Sequence, residues 1–310
     1  HILYAILKQI VSTRIPDQFL HITLLMPNVY PQHKVYTLIT NLYKDFYEII
    51  KQESYSSIKG IEIQMISESD AAFLGAKRNR AREWNIPNRT NAHYLIIDSG
   101  KGTTDFSILK QCENHTNFDS IYRTGIPASG HVLTYAFFEA LEDFLKQQGN
   151  ILLHNLVKTA SRTAILDFME KLEYMKQNYN GYNEMSNEEV ENIDTNIFSS
   201  IKSLDDVNTF LENNFAQKHI PSTRVKVNSK IEKLLKAIWE EIDKSGIDHF
   251  ENVVFTGRGF RFAPFRKKTE EMLVSANKID TATKIVYKDD NSTKTICMDG
   301  AFVLNHSRIN

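Results

Sequence analysis

The 310-residue sequence predicts an α/β fold, and three observations carry that expectation. Apolar runs with strand spacing alternate with runs at helical spacing through the first ninety residues, the order that gives a mostly parallel sheet with flanking helices. Three apolar runs near 94–124 follow one another at links too short for a helix, so that part of the sheet must fold as hairpins. Apolar residues make up 42% and charged residues 24%, which excludes disordered, collagenous and mucin-like chains.

Residues 2–11 (ILYAILKQIV) carry helical apolar spacing, and 19–26 (FLHITLLM) form a buried strand stopped by Pro27. Residues 34–51 set Val35, Leu38, Leu42, Phe46 and Ile49 or Ile50 on one helical face. Residues 61–66 (IEIQMI) alternate as a strand, and 68–82 return to helical spacing. A second unit starts near residue 92, giving expected domains 1–91 and 92–310. Its strand 94–98 (YLIID) meets a glycine-bearing turn at 99–102, followed by strands 104–110 and 118–124. Ser129 and Gly130 open a helix with Leu133, Phe137, Leu141 and Phe144 inward and Gly149 as its stop.

Residues 151–178 continue as helix. The acidic stretch 181–196 has no apolar period and predicts a solvated excursion. Ser229 and Glu232 have capping-box spacing at the head of a helix over 229–245, which Gly246 ends. Strand 252–256 (NVVFT) enters a Gly-Arg-Gly turn and a helix from about 264. The segment Cys297 to Leu304 begins as a strand and turns helical at Asp299–Ala301.

Thirty-seven basic against thirty-eight acidic side chains leave a formal charge of −1, so wholesale attraction to nucleic acid or anionic membrane is not expected. No run approaches the ~18–20 apolar residues of a membrane span. Cys112 and Cys297 lie far apart, in no disulfide or metal spacing, which fits a reducing, cytoplasmic setting. The histidines form no HxxxH or HxxEH pattern.

The sharpest chemical signal is Asp98-Ser99-Gly100-Lys101-Gly102-Thr103-Thr104-Asp105, between two apolar strands. Gly100 and Gly102 are expected at positive φ, bringing backbone N–H groups against phosphate oxygens, with the Thr103 hydroxyl as a further donor. Asp98 and Asp105 flank the turn and suit Mg²⁺, an ion that prefers carboxylates, phosphate and retained water.

This string resembles the second phosphate loop of the superfamily of actin, sugar kinases and the seventy-kilodalton heat-shock chaperones. Further pieces fall in that superfamily's order. Ile22 to Tyr30 is similar to the chaperone strand that ends in a switch proline, here Pro27. Ile66 to Ala72 resembles the segment whose glutamate orients magnesium-bound water, here Glu68. Val253 to Gly259, then Phe260, Arg261 and Pro264, resembles the adenosine motif, with Gly257, Arg258 and Gly259 in its turn and Arg261 as the adenine-stacking arginine. Glu173 and Lys176 have the spacing of the helix that hydrogen-bonds ribose and adenine. Gly130 falls at the start of the helix after the second-lobe hairpin, and Gly300-Ala301 resembles the start of the terminal helix.

The resemblance spans residues 19 to 304 and implies an actin-like, ribonuclease H-like ATPase fold: a partial first lobe, a complete second lobe and a divergent helical insertion at about 181–228. It implies ATP or ADP with Mg²⁺ as cofactors, and Glu68, Asp98 and Asp105 as the carboxylates that hold metal and water. Any protein-partner surface falls to the divergent insertion.

The departures are informative too. The family's first Asp-x-Gly-Thr hairpin and the phosphate-binding lysine after it have no counterpart, so the first phosphate loop is expected upstream of His1. The piece from His1 to Asn310 is then expected to be inactive as an ATPase. Ser129-Gly130-His131 replaces the usual Gly-Gly-acid sequence, and Arg258 and Gly259 replace small residues.

Two other function classes remain beside the ATP-driven switch. One is a nucleotide-sensing or non-catalytic scaffold, the other a small-molecule kinase for which no extra catalytic aspartate is found. Residues 257–268 (GRGFRFAPFRKK) interleave basic and aromatic side chains as single-stranded nucleic-acid binders do, but core packing beneath the adenosine turn is the favoured expectation. Lys77, Arg78, Arg80 and Arg82 are expected on a solvated helix face. Both cysteines are expected to be inert.

Overall fold

The computed structural model describes residues 2–12, 19–53, 59–78, 84–113, 118–215, 218–288 and 295–307. The chain begins with helix α1 (Ile2–Ser12), strand β1 (Phe19–Met26), helix α2 (Gln32–Glu53) and strand β2 (Gly60–Ser67). β1 and β2 pair in parallel, from Phe19 beside Gly60 to Met26 beside Ser67. Leu7, Val11, Leu20, Phe46, Ile49 and Ile61 form a small core between this pair and the two helices. Most of β1 is half-buried, less covered than its apolar run predicts.

Helix α3 (Glu68–Arg78) follows β2 directly. A mixed sheet then forms from β3 (His93–Ser99), β4 (Thr104–Gln111) and β5 (Phe118–Ile126), and later β6 (Asn252–Thr256) and β7 (Lys284–Val286). The spatial order is β5-β4-β3-β6-β7. The first three strands are antiparallel neighbours, as the short links require, and β6 and β7 join in parallel.

Alternate side chains of the central strands leave opposite faces of a pleated sheet. Leu95, Ile97, Val253 and Phe255 therefore enter the large core. Tyr94, Ile96 and Val254 face the other way, against Ala72, Phe73 and Ala76 of α3. The sheet is covered on both sides, and α3 belongs to its core although it precedes the expected boundary at residue 92. Burying one such aromatic or branched side chain stabilises by about 1.5–3 kcal/mol.

The large core is closed by α4 (Gly130–Gly149), α5 (Leu153–Thr159), α6 (Arg162–Gln177), α10 (Thr223–Asp243) and α11 (Ala263–Ser275). Several boundaries differ from expectation. Asn150, not Gly149, ends α4: it takes the left-handed conformation at φ 52°, and its N–H reaches back to the last turn. The stretch 151–178 is two helices, because the Ser161 hydroxyl accepts from the Ala164 amide at 3.1 Å and starts α6 afresh. α10 begins at Thr223, so Ser229 sits inside the helix and caps nothing; buried Val227 extends the apolar stripe upstream of it.

The interval 181–228 holds the helices α7 (Asn187–Glu191), α8 (Asn196–Ser200) and α9 (Leu204–Asn214), in line with its expected helical character. The acidic stretch is more than a loop. Ser186 and Glu189 form a capping box on α7, and Ile193 is buried in the core.

The closing segment is helix throughout, α12 (Ile296–Ser307), with no strand at Cys297. Its packing on α3 decides this. A Cβ on Gly75 would strike the Ile296 carbonyl, and one on Gly300 would strike the Ala71 carbonyl, so the two helices meet backbone to backbone. Lys77 corrects another expectation: its ammonium donates to the carbonyls of Ile86 at 2.7 Å and Pro87 at 2.6 Å, and burial lowers its pKa to about 8. Arg80 and Arg82 lie outside the described residues, as does the side chain of Arg78. No described helix is long and apolar enough to cross a membrane.

Candidate functional site

The turn between β3 and β4 lies where three elements converge. Asp98 and Asp105 face each other across the strand pair, and Asp98 also lies beside Thr256 of β6. The Gly100 amide donates to the Thr103 carbonyl at 2.9 Å and closes the turn. Gly100 and Gly102 do not take positive φ, contrary to expectation; among the described glycines that conformation belongs to Gly181, Gly246 and Gly257. A Cβ at Gly102 would meet nothing within 4 Å, so this glycine keeps the tip of the hairpin bare.

Gly257, with φ 81° and ψ 156°, occupies a region open essentially to glycine alone. A side chain there would strike the Ser99 carbonyl and the Asp98 carboxylate, and one at Gly259 would strike Ser99. The two glycines let the turn after β6 lie directly on the end of β3. Residues Arg258–Arg261 then make one turn of 3₁₀ helix leading into α11.

α4 starts against the same hairpin. The amides of Gly130 and His131 donate to the carbonyls of Gly100 at 3.3 Å and Lys101 at 2.8 Å. His131 also places Nδ1 2.9 Å from the Lys101 carbonyl. Ser129 does not cap α4 with its side chain; its hydroxyl donates to the Gly100 carbonyl at 2.8 Å and lies 2.6 Å from the Ser99 hydroxyl. The Lys101, Gly102 and Thr103 amides make no backbone hydrogen bond among the described residues.

These elements wall a cavity of about 560 Å³. Of the expected cofactor residues, Gly100, Lys101, Gly130, Glu173, Lys176, Arg258, Gly259 and Arg261 line it; Gly102, Thr103 and Gly257 do not. Glu173 and Lys176 pair at 2.6 Å, and Thr134 ties them to α4 by donating to Glu173 at 2.5 Å and accepting from Lys176 at 2.7 Å. Tyr179 and Phe262, stacked with centroids 5.6 Å apart, supply an aromatic wall that the motifs did not reveal. Phe260 and Phe265 are fully buried, so 257–268 presents no row of exposed rings on which nucleic-acid bases could stack.

The three carboxylates do not line the cavity; they gather beside the strand ends of the hairpin. Burial, then the charges of Asp98 and Asp105, push the Glu68 carboxyl up to about 7. Burial, then Asp105, pushes Asp98 up to about 6, against the nearby Thr256 hydroxyl and Cys297 thiol. Asp105 is raised by burial and held back by its hydrogen-bond donors. Those donors are Thr103 Oγ1, 3.0 Å from Oδ2, and the amides of Asn28 and Val29 on Oδ1, the latter at 3.3 Å.

Mutual repulsion of this kind is what a divalent cation relieves. Among the described residues, however, no three His, Cys, Asp or Glu converge with metal-ligand geometry, and both Asp105 oxygens already accept from the protein. The donor set suits a hydrated Mg²⁺ reached through its waters better than a cage of direct bonds.

Two further participants were not visible as motifs. Asn28 follows the expected switch proline, and its side-chain amide donates to Ser69 and to the Phe106 carbonyl, each at 2.9 Å. Cys297, expected to be inert, sits with Sγ 3.7 Å from Asp98 Oδ2, where burial and the charges of Asp98 and Glu68 hold its thiol protonated well above the usual range. No family model matches the chain, and no curated protein matches its sequence.

Proposed function

We propose that the chain is a nucleotide-binding switch module of the actin-like ATPase type, nearest the heat-shock chaperone branch, and that it holds ATP or ADP with Mg²⁺. The observation that carries this reading is the convergence of sequence-distant motifs: the hairpin, the start of α4, the Glu173–Lys176 pair and the Arg258–Arg261 turn wall one cavity. Its volume is within the range of small-molecule sites, roughly 300–1,000 Å³.

Tyr179, Phe262 and Arg261 would receive the base, the Glu173–Lys176–Thr134 cluster the ribose hydroxyls, and the Gly100–Lys101 side of the hairpin the phosphates. Glu68 and Asp98 would hold magnesium through its waters; when bound, the ion neutralises phosphate charge. Catalysis in such sites is positioning and charge neutralisation.

A specific observation favours the non-hydrolysing, nucleotide-sensing variant of this reading. Asp105 is engaged by the Asn28 and Val29 amides and the Thr103 hydroxyl, which leaves it little freedom to serve an attacking water. Calorimetric titration of the 310-residue chain with ATP and ADP in Mg²⁺ tests the binding reading, and saturable binding of both is expected. Absence of saturable binding would sink it. A single-turnover hydrolysis rate that falls in Asp98→Ala would overturn this sensor variant.

A further inference from the structure

The cavity wall is strongly cationic. Lys101, Lys176, Arg258 and Arg261 line it against one carboxylate, Glu173. Lys176 is matched by Glu173. No carboxylate pairs with Lys101 or Arg258 among the described residues, and Arg258 is exposed.

The position of Arg258 along the cavity follows from its neighbours. Gly259 packs on Ser99, and its Cα lies 3.7 Å from where a Gly130 side chain would begin. The backbone of Arg258, held between Gly257 and Gly259, therefore lies beside the hairpin, and Tyr179 and Phe262 stack on the cavity wall. At the hairpin end, the amides that open α4 are already spent on the carbonyls of Gly100 and Lys101. A helix start normally offers such amides to an anion. Here they are withdrawn, and the cations stand beside the gap.

We propose that Arg258, together with Lys101, is the polyphosphate-recognising element of this cavity, replacing helix-terminal amides and selecting nucleoside di- and triphosphates over nucleosides. This deepens the nucleotide reading and rests on it for the base end of the ligand. A guanidinium offers a planar fork of donors matched to phosphate oxygens, so Lys is not an equivalent substitute at that position.

The test is a calorimetric panel of adenosine, ADP, ATP and inorganic tripolyphosphate against the 310-residue chain and its Arg258→Ala, Arg258→Lys and Lys101→Ala variants. Arg258→Ala is expected to weaken ADP and ATP by about ten- to a hundredfold, the size of a charge-assisted hydrogen bond. Adenosine affinity should not change, and the loss should shrink as salt is raised. Arg258→Lys should recover only part of it. Equal losses for adenosine and ADP, or no loss, overturn the proposal. The panel also separates the two ideas. Wild-type binding of tripolyphosphate without adenosine keeps the anion clamp and discards the nucleotide reading. Equal wild-type affinity for adenosine and ADP does the reverse, and no binding by any probe discards both.

Discussion

The Val29 amide donates to the Asp105 carboxylate at 3.3 Å, and the neighbouring Asn28 amide joins it on the same oxygen. One side chain of the β3–β4 hairpin thus grips the loop that leaves β1. Asn28 reinforces the grip from its own side through Ser69 and the Phe106 carbonyl.

Asp105→Ala tests this latch. It removes the acceptor of the Asn28 and Val29 amides, so about 1–3 kcal/mol of stability should go, the cost of leaving a buried donor unpaired. Urea denaturation reads it directly. An unchanged midpoint would show that the contact carries no load.

The two glycines of the hairpin and the two of the β6 turn should behave oppositely. Gly257→Ala forces a side chain into a glycine-only conformation against the Ser99 carbonyl and should cost about 1–3 kcal/mol or more. Gly102→Ala meets nothing within 4 Å and should leave the denaturation midpoint within about 0.5 kcal/mol of wild type. Similar losses for both would contradict the backbone geometry described for the site.

His219 gives a pH dependence. Its ring is buried against Phe137 and Tyr179, its nitrogens have no hydrogen-bond partner at good geometry, and burial lowers its pKa below 6.5. The Asn178 carbonyl and the Glu184 charge oppose that shift. The unfolded chain takes up the proton first, so this contribution to stability is complete above pH 6.5 and is lost as pH falls through the folded value. Replacing it, as in His219→Phe, should flatten the decline in denaturation midpoint between pH 7.5 and 5.5. Parallel pH curves for variant and wild type would rule the residue out as a contributor.

Glu173→Gln should weaken adenosine and ADP alike, by roughly tenfold, because the carboxylate holds the Lys176–Thr134 cluster proposed to meet the ribose. Isothermal titration with both ligands checks this. A loss confined to ADP would move the residue to the phosphate end.

Much of this architecture was legible because it is local. The apolar runs of β3, β4 and β6, and the short links between β3, β4 and β5, dictate a mixed sheet. The β3–β4 hairpin is contiguous in sequence, so its residues could be named from spacing. Three-residue β7 is too short for an alternation to register. The start of α12 carries β-branched Ile296, which suits a strand, but docking on α3 makes it helical. Asn28 and Cys297 reach Asp105 and Asp98 across 77 and 199 positions, a separation no motif spans. The hairpin glycines misled because a short turn can also be closed without positive φ.

The glycines at 75 and 300 have a mechanical consequence. The main chains of α3 and α12 meet at these two positions with no side chain between them. Glu68 opens one helix and Cys297 lies in the first turn of the other, so a shift of the final helix would be passed to the carboxylates beside the hairpin.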